Sequence, residues 1–221
     1  MKFIRFNAES PSLFADEIKD FVSQKKKTKQ YMHLVRYIFK DVLASGDDDP
    51  VFTLLDYLEK ETDFYTAPAS TKFHGSEAGG LVRHSLLVVA YGIELAPVML
   101  SGEVDMYYLV VSCLLHDFCK VNMYETKMRN TKNEKTGNWE KTPYYRVRDD
   151  YLSYGHGIES MLRLNRFIEM PDSWNQAIRW HMGAYDITQT DKFALEKSLA
   201  AFREVLLLQT ADMLAGLVDE T

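Results

Sequence analysis

The run from Tyr108 to Leu115 reads as a core helix, and it ends directly in His116-Asp117-Phe118-Cys119-Lys120. An imidazole and a carboxylate are thereby carried to the edge of the apolar interior. A carboxylate taken out of water must be ion-paired, hydrogen-bonded or metal-bound, because leaving it bare is costly enough to force protonation. Histidine and aspartate adjacent at a helix end can both turn toward one cation, and that is the partner the pattern favours. A His-Asp dipeptide also serves as a plain capping pair, so the rest of the chain must supply further ligands.

The remaining signals are mainly helical. Ser10-Pro11 offers a cap with proline at the first helical position, and Leu13, Phe14, Ile18 and Phe21 follow at helical spacing. A second helix is expected over 29–45, and Asp49-Pro50 opens a third through Leu54, Leu55 and Leu58. Lys25-Lys26-Lys27 reads as a solvated turn between the first two, and His33 as structural. Residues 66–80 form a loop that ends in Gly79-Gly80, with His74 exposed or facing a substrate. A helix from Leu81 carries His84 on the face of Val88, Tyr91 and Leu95, and Pro97 marks its end.

The motif helix is expected over 104–118, which puts Lys120 one turn beyond His116. Residues 121–151 change texture to a β-hairpin whose cations include Arg129 and Arg146. Leaving directly from the motif, it is positioned either to hold substrate phosphate or to lie in solvent. His156 starts the next helix, His181 ends another over 174–182, and a single last helix over 193–217 carries Asp212 among Ala211, Met213 and Leu214. An aspartate in that setting needs a partner.

Composition narrows the setting. The 221 residues suit one domain, 1–221, with a helical extension over 1–70 and a core over 71–221. A net charge of -6 weighs against a general nucleic-acid binder. Two cysteines without CxxC spacing point to a reducing compartment, the cytoplasm by default. Neither a signal peptide nor a membrane span is expected.

In order, His84, His116-Asp117, His156, His181 and Asp212 resemble the HD superfamily of metal-dependent phosphohydrolases, whose signature is H...HD...D on a helical bundle. The blocks Gly79 to Ser85, Leu115 to Lys120, Gly155 to Gly157 and Ile178 to Gly183 are similar to those of stand-alone bacterial HD hydrolases. The resemblance implies an all-α HD-domain bundle with a small β-hairpin insertion. It implies that His84, His116, Asp117 and Asp212 bind one divalent metal ion. With His156 and His181 present it further implies a second ion, with Asp117 bridging; two cations about 3.5–4 Å apart clamp a phosphoryl group and activate water between them. Asp117 and Lys120 become the catalytic candidates, Lys120 for phosphate-oxygen stabilisation, and Arg129 and Arg146 join Lys120 as substrate-binding candidates.

A nitrogen-rich ligand set favours a transition metal such as Fe, Mn, Zn, Ni or Co over Mg²⁺ alone. Arg83, Arg179, Trp180, Tyr185 and Asp186 adjoin the ligands and are further substrate-facing candidates, but neighbours on a helix point about 100° apart, which leaves the arginines either toward a substrate or away from it, and Trp180 is expected in the core. The pattern after His181 lacks the extended motif of the cyclic-di-GMP branch. Similarity also extends to the HD portion of certain 3'-to-5' exoribonucleases, which carry an OB-type domain in front, whereas residues 1–70 here read as helical. The expected substrate is therefore a nucleotide or related small phosphorylated metabolite. An oligonucleotide end is the enzymatic alternative, and a metal-stabilised binding module the non-enzymatic one.

Overall fold

The computed structural model describes residues 11–24, 26–72, 75–102 and 104–219. Ser10, Lys25 and His74 lie outside them. The described chain is mostly helical with one two-stranded antiparallel sheet, so the expected class holds as a helical bundle bearing a β-hairpin. The α-helices are α1 Pro11–Ser23, α2 Thr28–Tyr37, α3 Pro50–Lys60, α4 Gly80–Met99, α5 Met106–Leu115, α6 His156–Leu164, α7 Asp172–Trp180, α8 Asp191–Ala201 and α9 Arg203–Leu214. The strands are β1 Tyr124–Lys132 and β2 Trp139–Val147.

α4 is the central element. Its residues from Gly80 to Ile93 are buried apart from Arg83, and it packs against α1, α5 and α9. It is long and apolar enough, by length and composition alone, to cross a membrane, a feature that the expectation of no membrane span passed over. Here those side chains belong to one apolar cluster running from Phe14 to Ala215. Pro97 lies inside its last turn instead of ending it. The proline is exposed, and the neighbouring bond from Leu100 N to Ala96 O persists at 2.9 Å.

Aspartate side chains cap two of the helix starts. Asp49 caps α3, its side chain accepting from Val51 N, and Asp105 caps α5 by accepting from Tyr107 N. Each such cap contributes about 1 kcal/mol. The second expected helix is present as α2 continued by a π-helical turn, Ile38–Val42.

Two expectations about helix ends are corrected. α5 stops at Leu115; His116 is its C-cap, Asp117 leaves helical geometry at φ -99 and ψ 27, and a 3-10 turn, Phe118–Lys120, follows. The expected last helix is two, α8 and α9, separated by Phe202 in extended conformation at φ -132 and ψ 113. Phe202 packs there on a small second cluster of Trp180, Leu195 and Val205, a tertiary contact that outweighs continuous helical propensity.

The hairpin pairs Tyr124 with Val147 through to Lys132 with Trp139. Its base is tied to the bundle: Arg148 N bonds Met123 O at 3.0 Å, and Asn122 and Asp63 exchange backbone-to-side-chain bonds at 2.6 and 3.1 Å. Asn122 takes positive φ, 56°, which asparagine tolerates better than most residues.

Candidate metal centre

Five helix ends or faces converge on one point. His84 comes from the first turns of α4, His116 from the C-cap of α5, His156 from the first residue of α6, His181 from the C-cap of α7, and Asp212 from α9. Asp117 stands among them. His84, His116, Asp117 and His181 are buried, while the His156 and Asp212 side chains retain 22% and 18% exposure, so the cluster meets solvent on their side.

The ring orientations follow from the helix ends. His116 Nδ1 lies 2.8 Å from Cys113 O, and His181 Nδ1 lies 2.7 Å from Ile178 O. A carbonyl only accepts, so each Nδ1 carries hydrogen and each Nε2 turns inward. The C-terminal ends of α5 and α7 also bring the negative poles of two helices to the cluster, which favours a cation.

Asp117 divides the cluster into two halves. Its Oδ2 faces His84 Nε2 at 3.9 Å and His116 Nε2 at 3.4 Å, whereas its Oδ1 faces His156 Nε2 at 2.5 Å and His181 Nε2 at 3.6 Å. In the first half, Asp212 Oδ1 lies 3.0 Å from His84 Nε2 and 3.6 Å from His116 Nε2. The two Nε2 atoms of His84 and His116 are 3.3 Å apart. Donors about 2.0–2.2 Å from a common tetrahedral or octahedral ion stand roughly 3.0–3.5 Å from one another. In the second half, His181 Nε2 is buried without a hydrogen-bond partner, a lone pair facing Asp117. The residues fit a divalent cation in the first half and supply further donors from His156 and His181 in the second, and His181 also brings a donor nitrogen to within 4.8 Å of donor atoms of His116 and Asp212.

The electrostatics agree. Burial alone would raise the Asp117 carboxyl, yet Lys120, His116 and His156 hold it well below the ordinary carboxylate range. Asp212 is likewise held low against burial by His116 and His84. Burial would lower His116, but Asp117 and Asp212 push it up to about 10; His156 is pushed up to about 10 against burial by Asp117. His181 is lowered by burial, with His116 adding to the effect. Lys120 is the leading positive charge that holds the Asp117 carboxylate low, with His116 and His156 behind it.

Lys120 sits on the 3-10 turn and points at the cluster, its Nζ 2.6 Å from Asp117 Oδ2. Tyr124, the first residue of β1, neighbours it; burial raises the phenol to about 12 despite the lysine. The hairpin arginines are engaged elsewhere. Arg129 is exposed, 5.4 Å over the Tyr144 ring, and Arg146 is paired with Glu125 at 2.7 Å and Asp149 at 2.6 Å. Arg146 is thus paired with the hairpin's own carboxylates and Arg129 lies on the exposed hairpin, the solvated one of the two expected arrangements. Arg83 pairs with Glu77, Arg179 stacks 3.9 Å from the Trp180 ring, Trp180 is buried, and Tyr185 is exposed. His33 is exposed on α2, outside the cluster.

One donor was not anticipated. Cys119 brings its sulfur to within 4.8 Å of donor atoms of Asp117 and His156. Its place two residues after Asp117 is the signal for it in the sequence, where composition alone speaks only to compartment.

Comparison of the chain with protein-family models, curated proteins and solved structures finds no match.

Proposed function

We propose that this chain is a metal-dependent phosphohydrolase of the HD type, acting on a phosphoester of a nucleotide or related small phosphorylated metabolite. The observation that carries the reading is the Asp117 carboxylate, with one oxygen turned to the His84, His116 and Asp212 set and the other to His156 and His181. Fe, Mn, Zn, Ni or Co suits these donors better than Mg²⁺ alone. A divalent cation bound there supplies Lewis acidity toward a phosphoryl oxygen and lowers the pKa of water near it.

The protein's own groups do the rest. His116 and His181 are locked by their Nδ1 bonds to backbone carbonyls, so their Nε2 donors need no reorganisation. Asp117 joins the two halves. Lys120, the cation against Asp117, is the group best placed to meet a phosphoryl oxygen entering from the exposed side of His156 and Asp212. The proposed setting is the cytoplasm, which the two unpaired, buried thiols favour.

The acidic chain favours a small substrate over an oligonucleotide end. Metal content of protein purified without chelator, followed by phosphate release from a nucleotide panel, tests the reading. One or two equivalents of metal, with activity lost in Asp117→Ala, supports it. Metal without turnover of any nucleotide or oligonucleotide would favour a binding module, and no metal under any loading condition removes the basis of the proposal.

A further inference from the structure

The candidate centre contains a donor that the histidine and aspartate pattern does not use. Cys119 lies in the 3-10 turn after Asp117 and is buried. Its sulfur, a carboxylate oxygen of Asp117 and a ring nitrogen of His156 all lie within 4.8 Å of one another. The backbone around the sulfur is held from two sides: Cys119 N donates to Ser160 Oγ at 3.0 Å, and Cys119 O accepts from the Tyr151 hydroxyl at 2.5 Å. Ser160 belongs to α6, the helix that begins at His156, so one rigid element positions both the imidazole and the thiol.

A second observation is independent of the sulfur. His181 Nε2 is buried, has no hydrogen-bond partner, and faces the same Asp117 oxygen that His156 meets, at 3.6 Å against 2.5 Å. The His156 and His181 ring centroids are 5.4 Å apart. An inward lone pair with no donor in reach is left unsatisfied by the protein alone and is met by an electron-pair acceptor.

We infer that Cys119 supplies sulfur to a divalent cation held by Asp117, His156 and His181, giving this position two nitrogens, one oxygen and one sulfur. The inference rests on the metal-dependent reading above. It makes the two halves chemically unequal: the position at His84, His116 and Asp212 offers only nitrogen and oxygen, whereas the Cys119 position selects thiophilic ions such as Zn²⁺, Co²⁺ or Cd²⁺ over Mg²⁺. The thiol proton passes to solvent as the sulfur takes the ion.

Cobalt tests this without reference to turnover. Chelator-stripped full-length protein is titrated with Co²⁺ while near-ultraviolet absorption and bound metal are followed together. Wild type and Cys113→Ser are expected to show a thiolate-to-cobalt charge-transfer band, and Cys119→Ser to lack it. X-ray absorption of the zinc-loaded wild type needs no variant and is expected to contain a sulfur shell at about 2.3 Å. Metal bound with no sulfur shell, or a band that survives in Cys119→Ser, overturns the cysteine assignment and leaves the metal-dependent reading intact. Failure to bind cobalt or zinc at all overturns both.

Discussion

The Asp117 carboxylate meets the His156 imidazole at 2.5 Å through Oδ1, while Oδ2 turns to His116 at 3.4 Å and to the Lys120 ammonium at 2.6 Å. One side chain thus reaches α5's end, the 3-10 turn and α6. Its removal should affect both halves of the cluster, whereas removal of a histidine should affect one.

That difference can be measured as metal stoichiometry. His84→Ala is expected to lower metal content at the Asp212 side alone, His156→Ala at the His181 side alone, and Asp117→Ala at one or both, in a protein that still folds. Elemental analysis of the three variants, with circular dichroism as the folding control, decides it; full metal retention in Asp117→Ala would sink the assignment. Without metal, Asp117→Ala strands the Lys120 charge, and a destabilisation of about 3–5 kcal/mol relative to the metal-free wild type is expected in urea titrations.

Lys120→Met keeps much of the side-chain length and removes the charge. If Lys120 stabilises charge that develops on phosphate, kcat should fall by about 10²–10³ with metal content unchanged. A rise in KM with kcat intact would instead assign the lysine to ground-state binding.

Gly157 tests the geometry of the second half. A Cβ at Gly157 would lie 2.2 Å from Arg179 O and 2.7 Å from Ile178 O, and Ile178 O is the acceptor that fixes His181. Gly157→Ala must therefore push α6 and α7 apart. A stability loss of about 1–3 kcal/mol is expected, together with weakened metal binding at the His156 and His181 side. Thermal denaturation and metal titration check the two effects, and an unchanged variant would contradict the close approach.

Metal uptake should release protons. In the metal-free chain His116 and His156 titrate at about 10, raised from 6.5 by Asp117, with Asp212 also acting on His116. Because the folded values are raised, these histidine-carboxylate pairs stabilise the metal-free fold fully below about pH 6.5 and cease to do so as pH rises through about 10. A cation must displace the same protons, so its apparent affinity should increase with pH across that window. Calorimetric titration with Zn²⁺ in buffers of different ionisation enthalpy, run on the Cys119→Ser protein, measures the protons released; zero release near pH 7.5 would mean that these two imidazoles are not protonated in the metal-free chain.

Much of the site could be read from side-chain type and spacing. His84, His116, Asp117, His156, His181 and Asp212 each sat at a helix end or on an apolar helix face, and six such positions have few explanations together. Lys120 was also found, although by a turn other than the one expected, since α5 ends before the motif. Cys119 was overlooked because its proximity to His156 spans a chain separation that only the packing of α6 against the 3-10 turn closes. For Arg129 and Arg146 the cationic character was legible, but their neighbours Tyr144, Glu125 and Asp149 are set only once the hairpin registers.

By itself the sequence determined most of the helices, the cap at Asp49, the hairpin and the identity of the buried titratable residues, because apolar periodicity, capping and turn chemistry act over a few neighbouring positions. Only the tertiary structure decided where α5 stops, that Phe202 breaks the last helix, and which oxygen of Asp117 faces which histidine. Those outcomes depend on contacts between residues distant in the chain, where packing and charge neutralisation in a buried site outweigh local preference.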